Sequence, residues 1–258
     1  MATYLDSIIA RHRRAAALDT RPLAALGQQA MAMEPIRGFR AALADVPQLA
    51  VIGEVKRRSP SKGDLNADLD PAALAADYQR GGASCLSVLT DTEFFGGSVA
   101  DLQAARAACS LPVLRKDFTV SEHDVVDARL MGADCVLLIA AALAPRELIA
   151  LYQLAVEVGL DVLVEIHDEA ELEVALAAGS NLVGVNQRDL VTFQVDHERA
   201  LRMAGVMPPG VVRVAESGVR GPTDAAALYA AGYHAVLVGE TLVTSGDPVA
   251  ALRSLIAG

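Results

Sequence analysis

Residues 51–65 read VIGEVKRRSPSKGDL. Val51 and Ile52 are apolar and β-branched, as the start of a buried strand should be. Glu54 and Lys56 follow at alternate positions, which on a strand point to the same side. A carboxylate and an ammonium inside an otherwise apolar strand are costly unless paired. A basic loop containing Ser59, Pro60, Ser61, Lys62 and Gly63 comes directly after them. The stretch therefore reads as a strand buried for most of its length, whose C-terminal end carries charge into a shared site.

Seven further apolar runs resemble its first half. Strands are predicted at Leu49–Val55, Ser84–Leu89, Pro112–Arg115, Asp134–Ile139, Asp161–Ile166, Asn181–Val185, Val211–Ala215 and Ala235–Val238. They are nearly continuous in hydrophobicity, as strands covered on both faces are. Helical patterns lie between them: DPAALAADYQRGGA, VADLQAARAACS, EHDVVDARLMGA, APRELIALYQLAVEVGL, DEAELEVALAAGS and GPTDAAALYAAGY. Asp or Pro opens several, as at Asp70-Pro71. Gly81, Gly132, Gly159, Gly179 and Gly232 are read as their stops. A glycine-centred punctuation recurs at Gly82-Ala83, Gly132-Ala133 and Gly179-Ser180, a weak repeat of the kind stacked βα units leave. Eight strands with crossover helices predict an α/β fold, a (β/α)8 TIM barrel over residues 49–258, preceded by an N-terminal helical extension, 1–48, in one domain. A doubly wound sheet is the alternative, but no G-x-G-x-x-G follows the first strand.

Composition narrows the function. With 258 residues, 53% of them hydrophobic, the chain can bury one large core. No apolar run approaches the roughly 20 residues that span a bilayer. The start, MATYLDSIIARHRRAAALDT, lacks a long apolar segment and cleavage site, so no signal peptide is expected. A net charge of −10 argues against a nucleic-acid surface, and the absence of Trp argues against base-stacking platforms. Cys85, Cys109 and Cys135 are odd in number and form no C-x-x-C pair, so packed thiols in a reducing cytoplasm are expected. Of 22 basic residues only Lys56, Lys62 and Lys116 are lysine. Either composition bias spared three, or lysine is kept where a compact ammonium of adjustable pKa is needed.

Barrel sites form at the C-terminal ends of the strands. The first strand brings Glu54 and Lys56 there, the second LTDTEFFGGS with Phe94 and Phe95, and the third Lys116 and Phe118. The fifth brings Glu165 and His167, the sixth Asn186 and Arg188, and the seventh Glu216 and Ser217. Charge at one end of six strands is hard to reconcile with a purely structural role. Gly218 follows the seventh strand, and Gly239 follows the eighth just before ETLV, read as a short extra helix. Such loops bind phosphate through backbone N–H groups, and Ser59 and Ser61 could add hydroxyls. His167 reads as a capping or rim residue. His12, His123, His197 and His234 form no H-x-x-x-H pattern, so neither metal nor cofactor is expected.

These residues carry a resemblance. VIGEVKRRSPSKGDL resembles the signature of the indole-3-glycerol phosphate synthase family. CLSVLTDTEFFGGS, LPVLRKDF, VLVEIHDEAEL, GVNQRDL, VAESGV and VLVGETL resemble its later blocks in order and spacing, over nearly the whole chain. The resemblance implies a lyase of tryptophan biosynthesis acting on 1-(2-carboxyphenylamino)-1-deoxyribulose 5-phosphate, a small-molecule partner; a monomer or weak homo-oligomer is expected. It implies Lys116 as the principal general acid and Glu165 as the base or acid of dehydration. Lys56 would hold the substrate carboxylate, while Glu54 and Asn186 organise these groups. Glu216 and Ser217 would lie near the ribulose chain, and Arg188 beside the anthranilate end. Ser59, Gly218, Gly239 and the N–H of Glu240 would contact phosphate. Phe95, Phe118 and Leu137 would form the apolar wall. Arg58 and Gln187 stand where the family varies and take no role from it. Phosphoribosylanthranilate isomerase is a rival barrel, but resemblance to it would call for a Cys/Asp pair where the first strand offers Glu and Lys. A catalytically inactive barrel is a second rival, disfavoured by the presence of Lys116 and Glu165.

Overall fold

A computed structural model describes residues 4–44, 46–60 and 62–257. Eight parallel strands close into a barrel: β1 Ala50–Val55, β2 Cys85–Leu89, β3 Val113–Lys116, β4 Cys135–Ile139, β5 Asp161–Ile166, β6 Leu182–Asn186, β7 Val212–Glu216 and β8 Ala235–Val238. All eight expected strands are present in sequential order, with β8 closing against β1. Several start one residue later than expected. β3, β6 and β7 run one residue further, to Lys116, Asn186 and Glu216, because these polar residues still pair along the ladder with their neighbours.

Alternation along the strands divides the core in two. Residues facing outward, such as Val51, Leu86, Val136, Val164 and Val183, pack under the helices. Those facing inward, such as Ile52, Leu114, Leu137, Leu163, Val214 and Leu237, fill the barrel. Packing density at this boundary is set by small residues. Gly53 on β1 lets helix Pro71–Gly81 approach so closely that a Cβ there would lie 2.5 Å from the Tyr78 ring. The Tyr78 hydroxyl then donates to the Glu54 carbonyl at 3.0 Å.

Most expected helix boundaries hold. Asp70 caps Pro71–Gly81, Ser121 caps Glu122–Leu130 and Asp168 caps Glu169–Ala177, each accepting backbone N–H groups of the first turn. One stop differs: Gly81 is the last helical residue, and Gly82, at φ 95°, makes the left-handed turn. Gly81 is small for another reason, since a Cβ there would press on Leu252 of helix Pro248–Ala257 at 2.9 Å. That helix, and Arg199–Ala204 after β6, were not among the helices expected.

Among the described residues the extension forms three helices, α1 Tyr4–Ala17, α2 Leu23–Met31 and α3 Phe39–Ala44. α3 plugs the N-terminal end of the barrel, where Phe39 and Leu43 pack on Ala50, Cys85, Cys135 and Leu182. Asp134 and Asp161 at strand starts accept the N–H groups of Arg37 and Arg40 at 2.8 and 2.9 Å, which sets α3 in place. α1 instead crosses the opposite rim. Tyr4 meets the Phe94 and Phe193 rings, His12 meets Phe118, and Arg13 pairs with Glu147 at 2.8 Å. The three thiols are free; burial pushes the Cys85 and Cys135 thiols well above the ordinary range. Among the described residues no helix is long and apolar enough to cross a membrane.

Candidate active site

At the C-terminal end of the barrel lies a cavity of about 250 Å³, lined by strand ends and the loops beyond them. Glu54, Lys56, Lys116, Glu165, Asn186, Glu216 and Ser217 all line it. So do Arg188, Phe95, Phe118, Ser59, Gly218, Gly239 and Glu240. Leu137 is the exception. It is buried within the barrel interior, and Ile139, two residues further along the same face of β4, takes the lining position. Ser61 lies outside the described residues.

The inward-facing alternation that fills the lower barrel with Leu and Val places charge in its top layer. The Lys116 ammonium sits 3.5 Å from Glu165 and 3.9 Å from Glu216. Burial works to lower the Lys116 pKa, but the charges of Glu165, Glu216 and Glu54 prevail, and the group titrates well above an ordinary lysine. Burial likewise pushes Glu165 upward. Lys116 and His167 nearby, with the Asn186 hydrogen bond, outweigh it and hold the carboxylate ionised. Asn186 donates Nδ2–H to Glu165 Oε1 at 3.0 Å and accepts the Arg188 N–H at 3.0 Å, so one side chain ties β5 to the β6 loop. Glu216 behaves oppositely. Burial and the adjacent Glu165 charge push it up to about 8, so at neutral pH it holds a proton.

Space for the Glu216 carboxyl comes from a missing side chain. Gly184 on β6 lies beside Glu165 in the ladder, and a Cβ there would overlap Glu216 Oε1. Gly239 does the same for the other pair: a Cβ would overlap the Glu54 carboxyl and come within 3.1 Å of Lys56 Nζ. Lys56 is ion-paired to Glu54, so the expectation that both side chains point into the mouth is met.

Beyond β7, Ser217 and Gly218 both adopt left-handed conformations, with φ 65° and 77°. The Gln187 side chain donates to the Ser217 carbonyl at 2.8 Å and braces this turn. Helix Glu240–Val243 follows Gly239, as expected for ETLV. Arg58 donates to the Thr92 and Glu93 carbonyls and clasps the β1 loop to the β2 loop. Ile139, Leu190 and Phe193 are among the apolar lining residues that escaped the sequence reading. For Ile139 a signal existed in its spacing from Leu137. For Phe193, in a left-handed loop position, there was none.

His12, Asp91 and Asp117 bring ligand-capable atoms within 4.8 Å of one another at the rim. Their carboxylates already receive Arg11, the Phe94 N–H, Thr90 and Arg115. The donor set is thus that of a salt-bridged network anchoring α1, balanced without a cation. His167 sits closer to the chemistry than a rim position implies, with Nε2 3.9 Å from Glu165 Oε1.

A family model described as indole-3-glycerol phosphate synthase matches residues 5–255. The chain is 53% identical over 236 residues to indole-3-glycerol phosphate synthase 2 of Streptomyces coelicolor, covering 92% of this chain and 91% of that one. It is 49% identical to the indole-3-glycerol phosphate synthase of Beutenbergia cavernae, over 99% of this chain and 95% of the relative. Among solved structures, N-acetylmannosamine-6-phosphate 2-epimerase from Clostridium perfringens superposes with a TM-score of 0.62 at 13% identity, covering 78% of this chain and 91% of that one. That likeness speaks to the barrel alone.

Proposed function

The chain belongs to the indole-3-glycerol phosphate synthase family, carboxy-lyases of tryptophan biosynthesis, and on that premise we propose how its barrel mouth does the chemistry. The substrate is 1-(2-carboxyphenylamino)-1-deoxyribulose 5-phosphate, and the products are indole-3-glycerol phosphate, CO2 and water. The observation that carries the residue assignment is the Lys116 ammonium held between an ionised Glu165 and a protonated Glu216 in a buried layer.

Ring closure makes the aryl carbon bearing the carboxylate attack the ribulose C2 carbonyl, whose oxygen must gain a proton. Lys116, kept charged by its carboxylates, supplies it. Loss of CO2 then restores aromaticity without proton transfer. Dehydration removes the C2 hydroxyl as water and a proton from C1, a step that needs an acid and a base. Glu165 is the base, oriented by Asn186, and Glu216 holds a proton beside the ribulose chain, where Ser217 adds a hydroxyl. Lys56, set by Glu54, takes the substrate carboxylate, with Arg188 at the anthranilate end. Phe95, Phe118 and Ile139 flank the ring, with Leu137 supporting them from below. The N–H groups of Gly218, Gly239 and Glu240, with Ser59, hold the phosphate.

The reaction needs no metal or cofactor in this scheme. We place the enzyme in the cytoplasm, as a monomer or weak homo-oligomer acting as one barrel domain; its three free thiols suit a reducing compartment. The test is incubation with the anilino-ribulose phosphate and detection of indole fluorescence, against a background kept low by the absence of Trp. No fluorescent product refutes the reading.

A further inference from the structure

We propose that His167 is the entry point through which solvent protons reach the buried acid–base layer, acting through Glu165. The inference rests on the reaction proposed above and on its proton balance. Ring closure puts one proton on the C2 oxygen, dehydration puts a second on the departing hydroxyl, and only one is recovered from C1. The substrate carboxylate leaves as neutral CO2, so each turnover draws one proton from solvent. Yet Glu165 and Glu216 are 1% and 2% exposed, and substrate in the mouth would cover Lys116. A path that delivers protons while the mouth is occupied therefore runs past the substrate, through the protein.

His167 has the geometry for it. Its Nδ1 lies 3.1 Å from Glu171 Oε2, which also accepts the His167 backbone N–H at 2.7 Å. A carboxylate only accepts, so Nδ1 keeps its hydrogen and the exchangeable position is Nε2. Nε2 is buried, has no hydrogen-bond partner among the described residues, and faces Glu165 Oε1 at 3.9 Å, a gap that a small ring rotation spans. The imidazole as a whole keeps 13% of its side-chain surface exposed, so it touches both solvent and the buried layer.

The surrounding charges decide whether it can hold the proton. Glu165 on β5 and Glu171 on helix Glu169–Ala177 favour the imidazolium, and Arg199 on helix Arg199–Ala204 opposes it. Burial also opposes it, but the carboxylates win and the group titrates above an ordinary histidine. In the transfer the Nε2–H bond of the imidazolium breaks and an O–H bond forms on Glu165, which hands a proton on to the spent Lys116 amine 3.5 Å away and is again the ionised base. Turned outward through the ring's exposed edge, the neutral imidazole then takes its next proton from solvent at Nε2. No oxidant or second substrate is involved.

The experiment compares His167→Gln and His167→Asn with the unaltered enzyme, in steady state and in a single turnover with enzyme in excess. Both variants should lose about tenfold in kcat with KM unchanged. The first turnover should keep its rate, because Lys116 and Glu216 already hold the protons it needs. Added imidazole should restore kcat of the variants and leave the unaltered enzyme unmoved. Glu171→Gln, which can donate to Nδ1 and so free the wrong tautomer, should show the same imidazole sensitivity. A kcat within twofold of the unaltered enzyme overturns the proposal. So does a loss shared equally by the first turnover and indifferent to imidazole, which would mean His167 only packs. Absence of product from the unaltered chain refutes the proposed function instead, so the two failures are distinguishable.

Discussion

The lower and upper layers of the barrel interior come from the same strands and the same inward-facing alternation, but different forces hold them. In the lower layer Ile52, Leu114, Leu137, Leu163 and Val214 fill volume. One layer up, Glu54, Lys116, Glu165 and Glu216 occupy the equivalent faces and must balance charge. There, three carboxyls, Glu54, Glu165 and Glu216, meet two ammonium groups, Lys56 and Lys116. The surplus negative charge is removed by a proton on Glu216, whose pKa rises to about 8. The layer with the worse packing chemistry is thus the one that stores acid and base, and the fold stabilises it from below.

The comparison breaks most clearly through turnover. Lys116→Arg keeps net charge but replaces a compact donor with a planar group of much higher pKa. Turnover should fall on the order of 10²-fold or more, while thermal unfolding moves little. Glu165→Gln should lose turnover on a similar scale, on the order of 10²-fold, with KM within a few-fold. Leu137→Ala, one layer down, should do the reverse. A cavity there costs about 2–5 kcal/mol of stability, while kcat per folded molecule holds. Steady-state kinetics beside melting curves separates the layers, and near-normal turnover in Lys116→Arg would sink the acid assignment.

Gly184→Ala tests the seam between layers. The new methyl overlaps the Glu216 carboxyl and meets Leu163 Cδ1 at 3.3 Å. Moving Glu216 away from Lys116 should cost roughly tenfold in kcat, with KM changed less. If kcat is untouched, Glu216 has no position-dependent role.

How far the chain could be read beforehand follows the same division. The strand order and the charged strand ends were legible, because near-continuous apolar runs punctuated by turns have few other uses. The last rung of β3, β6 and β7 was not. Lys116, Asn186 and Glu216 look like loop residues until ladder pairing is seen to continue through them. Gly184 reads as an ordinary weak spot in a strand, since its purpose is a carboxyl from the neighbouring strand. The route of α1 over the rim depends on Tyr4, His12 and Arg13 meeting loops far away in sequence, and no local pattern encodes that. Nor could a sequence show that His167 faces Glu165 and does more than cap a helix.

The proton on Glu216 also predicts a pH effect on stability. In the unfolded chain a glutamate ionises near 4.5, whereas in the fold Glu216 does so near 8. Between these values the unfolded state binds fewer protons, so this group's contribution is full below the lower value and shrinks as pH rises toward the upper one. Glu216→Gln should remove that slope and, near pH 8, melt above the unaltered protein while turning over more slowly. Parallel melting curves across pH for the two proteins would show Glu216 ionised throughout.

The smallest effect is expected outside both layers. Lys62 lies in the loop after β1, with its side chain 57% exposed and its ammonium 3.5 Å from Glu240. An exposed pair of this kind contributes roughly 0–1 kcal/mol. Its remaining influence on an anionic substrate is long-range attraction, which a guanidinium supplies as well as an ammonium. Lys62→Arg should therefore be nearly silent in both kcat and KM. Lys56→Arg should lie between it and Lys116→Arg. The Glu54 carboxyl and the open space at Gly239 fit a compact ammonium, and a wider guanidinium would crowd the loop that holds phosphate, raising KM more than it lowers kcat. Kinetics of the three arginine variants at one fixed ionic strength should rank them 116, 56, 62. Equal and small losses at all three positions would mean that the lysines supply only field, and that the upper layer balances charge without donating a proton.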